Sequence, residues 1–112
     1  MQTIYAKNFL KESKVLRKKY RTIDSDIEKF VNLIENEGLI SSTRIPNLGD
    51  LQIYKTRIRN SSSASGKSGG FRVIYYLEID TFCYFIAIYS KAQKTDISKK
   101  EILRILKDEN LI

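Results

Sequence analysis

Apolar positions recur at helical spacing in three parts of the chain. Between residues 7 and 20, Phe9, Leu16 and Tyr20 fall near one face of a helix, with Lys7, Lys11, Lys14, Arg17, Lys18 and Lys19 around the rest. Ile27, Phe30, Val31 and Ile34 follow the i, i+3, i+4, i+7 rule and predict a second helix. Ser25 with Glu28 three residues later reads as its capping box, and Gly38 as the residue that ends it. The short link around residues 21–24 makes the pair an antiparallel hairpin. Ser98 with Glu101 is a second capping box, after which Ile102, Ile105 and Leu106 predict a helix ending near Asn110.

Elsewhere the period is two. Over residues 54–59 it sets Lys55, Arg57 and Arg59 on one face of a strand and Tyr54, Thr56 and Ile58 on the other. A helix would scatter the three cations, and the β-branched residues favour the strand. Residues 71–79 and 82–89 are apolar on both faces and rich in aromatic and β-branched residues, as central, covered strands are. Asp80 and Thr81 supply the turn between them, and residues 2–5 a short first strand. Pro46, Asn47 and Gly49 make residues 39–50 a connection without a regular element. Residues 60–70, rich in serine and glycine, predict a mobile loop. Its Gly66, Gly69 and Gly70 would admit a phosphate close to the backbone and Lys67 would add charge, although the Walker spacing is absent.

The order of elements gives an α+β fold. An N-terminal helical hairpin packs on an antiparallel sheet, made of the short N-terminal strand and a three-strand meander, and a C-terminal helix follows. At 112 residues the chain is expected to form one domain, residues 1–112. The sheet face away from the hairpin is expected to carry Lys55, Arg57, Arg59 and Arg72.

Charge then narrows the partners. Twenty Lys and Arg against 13 Asp and Glu give +7, which favours a polyanion or an acidic protein. Between Leu51 and Leu77 there are five cations and no acid. The lysines of the first helix fit a solvated face better than RNA contact. One cysteine and no histidine exclude an internal disulfide and a Cys/His metal cluster, and remove the commonest general base. Cys83, in an apolar run, reads as a buried small residue rather than a nucleophile. The N-terminus lacks a secretory pattern and the longest apolar run is too short to span a bilayer, so a cytoplasmic protein without membrane contact is expected.

If the strands on either side of the loop pair, Arg72 comes back beside Lys55 and Arg57, and Tyr89, Lys91 and Lys94 reach the same end of the sheet. Such a cluster can bind RNA phosphates. It can also favour attack of a 2′-hydroxyl on the adjacent phosphorus, by stabilising the charge that develops there. Spacing alone favours binding over cleavage.

The segments IYKTRIR, GKSGGFRVIYY and IYSKAQKTDIS resemble the RelE/ParE superfamily of bacterial toxins from type II toxin–antitoxin systems, most closely its RelE/HigB-like branch. The resemblance extends over nearly the whole chain. It implies a toxin that enters the ribosomal A site and cleaves mRNA by 2′-hydroxyl transesterification, without metal or other cofactor, and that a cognate antitoxin neutralises. It also implies that Lys55 and Arg57 are the paired basic residues of the first meander strand, with Arg59 continuing the row. Arg72 would then be the arginine on the scissile phosphate, and Lys91 the basic residue after the last strand. Ala92 stands where RelE has an arginine, and Ser98 lies near the position of its C-terminal tyrosine, which leaves proton transfer to Tyr89, Lys91 or Lys94. The long loop with Lys67, an expected RNA contact like Arg59, is a HigB-like feature. Two alternatives stay open: a ParE-like inhibitor of DNA gyrase, which has no need of the cationic cluster, and a non-catalytic RNA-binding relic, which would bind RNA in a salt-sensitive way without cutting it.

Overall fold

In the computed structural model the described residues are 2–38, 42–62, 70–78 and 81–112. The elements run β1 (Gln2–Tyr5), α1 (Lys7–Arg17), α2 (Ile23–Glu37), β2 (Ser42–Arg44), β3 (Ile53–Ile58), β4 (Phe71–Glu78), β5 (Phe82–Ser90) and α3 (Lys99–Asp108). They form one five-stranded sheet of order β1-β5-β4-β3-β2. β1 lies parallel to β5, and the other neighbours are antiparallel. The α+β architecture read from the sequence is therefore present, but the sheet is mixed rather than antiparallel throughout, because β1 joins it parallel to β5, and it has one strand more than expected. β2 falls within residues 39–50, where the sequence predicts a connection without a regular element. Pro46 and the turn beyond it bar a strand only after Ile45, and Ser42, Thr43 and Arg44 pair with the outer edge of β3.

The helical hairpin covers one sheet face. Phe9 and Leu16 of α1 and Ile23, Ile27, Phe30 and Ile34 of α2 pack against Val73, Tyr75 and Phe85. Ser25 and Glu28 are not the capping box of α2. The helix starts earlier, at Ile23, whose side chain is fully buried, and its N-cap Thr22 makes no capping bond. The Thr22 hydroxyl instead donates to Asp26 Oδ2. At the other end Gly38, with φ +83°, donates its N–H to the Ile34 carbonyl, as expected of a terminating glycine.

The opposite face is not left to the cations. Ile53, Ile74, Ile86 and Ala87 form a second core there with Ile97, Ile102, Ile105 and Leu106 of the C-terminal segment. Ser98 caps α3, its Oγ accepting from the Glu101 N–H at 3.1 Å. Cys83 is fully buried, and burial pushes its thiol up to about 12, so it is a core residue and no nucleophile.

β5 is irregular in two ways. Ala87 pairs with Ile74 and Phe85 with Tyr75, so Ile86 is an extra residue without a partner on β4. This bulge lets Ile86 and Ala87 both face the second core. Beyond it β1 no longer covers the edge of β5, and α1 does so with side chains. Asn8 Nδ2 donates to the Ile86 carbonyl at 2.9 Å, and Glu12 Oε1 accepts from the Ile88 N–H at 3.1 Å.

Candidate active site

Cross-strand pairing brings three of the expected residues into a row. Arg57 on β3 is opposite Arg72 on β4, and Arg72 is opposite Tyr89 on β5. Partners in an antiparallel pair share a face, so these side chains project side by side from the end of the sheet. Lys55 lies two residues along β3 on the same face. The bulge at Ile86 is what puts Tyr89 there. With Phe85 in the core under the helical hairpin, unbroken alternation would send Tyr89 to the same core, whereas it packs on the α3 side.

An acidic residue completes the row. Asp96, in the segment between β5 and α3, accepts from Lys55 Nζ at 3.3 Å and from the Tyr89 hydroxyl at 3.4 Å. Its backbone neighbour Ile97 donates an N–H at 2.8 Å to the same oxygen. That N–H, and after it Lys55, hold the Asp96 carboxyl below the usual carboxylate range. The Tyr89 phenol moves the other way. Burial first, then the Asp96 charge, push it up to about 12 against the opposing charge of Arg72. Asp96 lies outside the cationic pattern that marks the other members of the row in the sequence. The available signal was its isolation, since it is the one acidic residue between residues 81 and 100.

The remaining candidates are spread around this row. Lys94 Nζ lies 5.2 Å from the centroid of the Tyr89 ring and 3.3 Å from Glu101 Oε1, so it braces the ring from its face. Lys91 is exposed on the turn after β5, where its N–H meets the Gly70 carbonyl at 3.3 Å. Arg59 lies just past β3, which ends at Ile58, and with Arg57 it borders a groove of about 260 Å³ against Lys29 and Phe30 of α2. Ser98, near the family's tyrosine position, is occupied as the α3 cap. Lys67, Gly66 and Gly69 lie outside the described residues, as does Asp80 of the expected turn.

The start of the loop is anchored rather than free. Ser61 donates its N–H to Asp26 Oδ2 at 3.1 Å and its hydroxyl to Asp26 Oδ1 at 2.6 Å, and Ser62 Oγ accepts the Thr22 N–H at 3.0 Å. Gly70, at the far end, has φ +48°, and a Cβ there would sit 2.3 Å from the Ile58 carbonyl oxygen. Its glycine is required by protein backbone, not by a ligand.

Together the row offers two guanidinium groups for a phosphate, a protonated phenol as donor and an ionised carboxylate as acceptor. A model of the protein family described as the RelE toxin of the RelE/RelB toxin–antitoxin system matches residues 3–109 of the chain. No curated protein matches it significantly.

Proposed function

The chain belongs to the RelE toxin family, the toxin half of a toxin–antitoxin pair, and from this premise we propose that it is a HigB-like, ribosome-dependent mRNA endoribonuclease whose cutting site is the Arg57–Arg72–Tyr89 row. The register that sets these three residues side by side carries the reading. Arg57 and Arg72 hold the non-bridging oxygens of the scissile phosphate. The 2′-hydroxyl of the preceding nucleotide attacks phosphorus and gives its proton to the Asp96 carboxylate. The P–O5′ bond breaks, and the departing 5′-oxygen takes the Tyr89 proton, which leaves a 2′,3′-cyclic phosphate and a 5′-hydroxyl. A phenol with a pKa near 12 is a poor base at neutral pH but a competent acid toward an alkoxide, which is more basic still. Asp96, with its lowered pKa, is a weak base, so most of the barrier reduction falls to the two arginines as charge builds on the phosphorane. Lys55 neutralises Asp96 next to the anionic substrate. Lys94 fixes the Tyr89 ring, and Lys91, Arg59 and Lys67 contribute charge around the strand. No cofactor is needed for this chemistry. The cognate antitoxin silences the toxin by blocking the cationic row or its entry to the ribosome.

The test is cleavage of mRNA on programmed ribosomes. Wild type should give fragments with 5′-hydroxyl ends, and Arg72→Ala should lose about 10²–10³-fold in rate, as for removal of one charge-stabilising donor. Intact mRNA with wild type, together with inhibition of gyrase in a supercoiling assay, would replace this reading with the ParE-like one.

A further inference from the structure

The sheet face that carries the row is not covered over its whole length. The C-terminal segment packs on Ile53, Ile74, Ile86 and Ala87. α3 ends at Asp108, and Glu109 then reaches the N–H groups of Lys7 and Asn8, just past the Tyr5–Phe85 pair. Beyond that level, at the turn end of β4 and β5, three aromatic rings stand side by side on the α3 side of the sheet. Tyr76 is opposite Tyr84 and Glu78 is opposite Phe82, while Ile4 of β1 is level with Tyr84. The Tyr76 and Tyr84 rings stack with centroids 6.1 Å apart, and Phe82 lies 6.2 Å from Tyr84. Ile4 and the three rings are all partly exposed. The charge here is opposite to that of the row. Residues 73–90 contain no Lys or Arg, and their acids are Glu78 and Asp80. Among the described residues Glu78 forms no ion pair. Burial first, and then the Glu78 charge, raise the Tyr76 phenol above its ordinary value, so ring and carboxylate share one environment.

We propose that this aromatic platform is a docking surface for the cognate antitoxin, which meets it with an aliphatic segment that carries an arginine. This rests on membership of the toxin family and not on the nuclease reading of the row. Aromatic residues supply much of the binding energy at the centres of protein interfaces. An arginine suits the charged part of the surface, since it can stack on a tyrosine ring and pair with the Glu78 carboxylate. RNA fits poorly, because platforms that stack bases lie in positively charged grooves and this one has only acid beside it. A second copy of the chain fits poorly as well. It would bring its own Glu78 to the contact and no cation on this face to meet it. Glu78 is six residues from Arg72 along β4, about 20 Å, so the segment docks at the far end of the sheet from the row.

The experiment uses the full chain and the purified antitoxin, taken as the product of the neighbouring reading frame that co-purifies with it. Affinity is measured for wild type, Tyr84→Ala, Tyr84→Phe, Glu78→Lys and Arg72→Ala, with circular dichroism to establish that each is folded. Tyr84→Ala should weaken binding by about 30-fold or more, as for loss of one interface hot spot, while Tyr84→Phe keeps most of the affinity. Glu78→Lys sets a like charge against the arginine and should weaken binding by at least tenfold, about the cost of one unfavourable charge pair. Arg72→Ala should bind as wild type does. Hydroxyl-radical footprinting needs no variant and covers the case in which Tyr84→Ala does not fold. Oxidation of Tyr76, Phe82 and Tyr84 in wild type should fall when the antitoxin is added. Unprotected rings in the complex overturn the proposal. So does wild-type affinity in both Tyr84→Ala and Glu78→Lys, or a loss of antitoxin binding in Arg72→Ala alone, which would place the antitoxin on the row. A wild-type dimer that dissociates in Tyr84→Ala, with antitoxin affinity intact, overturns it in favour of a second copy. A fall in affinity for a short single-stranded RNA in Tyr84→Ala, with antitoxin affinity intact, overturns it in favour of a base-stacking surface. Wild type that never cleaves mRNA, yet loses its antitoxin in Tyr84→Ala and Glu78→Lys, would remove the nuclease reading and uphold the docking surface.

Discussion

Tyr89 and Asp96 share one long contact of 3.4 Å, and the position of the proton in it decides what each can do. With its pKa near 12, Tyr89 is ionised in only about one molecule in 10⁵ at neutral pH, so it acts as donor and Asp96 as acceptor. Part of that rise comes from Asp96 itself, which makes the pairing measurable. Asp96→Asn removes the negative charge, and the Tyr89 titration should move down, yet stay above the ordinary 10.0 because burial, the larger cause, persists. An ultraviolet difference titration against Tyr89→Phe isolates this one phenol among seven. If its midpoint does not move, Asp96 is not the group that Tyr89 senses. Gly70 poses a different question at the same scale. The atom that a Cβ would meet is the Ile58 carbonyl oxygen, which cannot rotate away, and the positive φ adds strain. Gly70→Ala should cost about 2–4 kcal/mol in denaturant melts. A loss under about 0.5 kcal/mol would mean that β4 can enter the sheet by another path.

The elements differ in how plainly the sequence announced them. Lys55 and Arg57 alternate with Thr56 and Ile58 across a buried face, and that alternation placed them correctly. The helices showed equally well, because Phe9, Leu16, Ile27, Phe30, Ile34, Ile102 and Ile105 have to meet a core. β5 was legible as a strand but not in its detail. Its residues are apolar on both faces, so no polar position marks the extra residue at Ile86 that turns Tyr89 to the arginine side. β2 was hidden because three residues next to a proline carry no periodicity, and Thr22 was missed as the start of α2 because Ser25 and Glu28 happened to have the spacing of a capping box. Nor does sequence show that α1 finishes the edge of β5. Burial raises the Glu12 pKa even though the Ile88 N–H pulls it down. A carboxyl raised in the folded state weakens the fold as pH climbs from its unfolded value through the raised one, because the native protein holds the proton that the unfolded chain has released. Glu12→Gln keeps an acceptor for Ile88 without the buried charge. It should melt at or above the wild-type temperature at neutral pH, and the difference should vanish in acid below the ordinary carboxylate range. A variant less stable than wild type at neutral pH, with the two converging only in acid, would show that the charged bond to Ile88 outweighs its desolvation.

Across the whole molecule one sheet separates two cores, and the row stands where both end. The C-terminal segment closes the second core, yet it also reaches the first helix. Ala6 gives α1 no side-chain cap, and Glu109 supplies one from the far end of the chain, its carboxylate accepting the N–H groups of Lys7 at 3.0 Å and Asn8 at 3.2 Å. A negative charge there also suits the positive end of the helix dipole. Glu109→Gln should therefore destabilise the protein by about 0.5–2 kcal/mol without touching the site. Removing residues 94–112 is a larger step. It takes away Ile97, Ile102, Ile105 and Leu106 and exposes Ile53, Ile74, Ile86 and Ala87. At about 1.5–3 kcal/mol for each of the four lost side chains, the loss is about 6–12 kcal/mol. That is of the order of the whole stability of a small domain, about 5–15 kcal/mol. The fragment 1–93 should thus lack the near-ultraviolet dichroism and exchange-protected amides of a packed protein. Asp96 and Lys94 leave with the same segment, so the fold and the proton-handling end of the row are held by one piece of chain. A folded 1–93 fragment that still bound ribosomes, but no longer bound its antitoxin, would instead make α3 a detachable antitoxin-binding arm, and would transfer the closing of the second core to Leu48 and its neighbours.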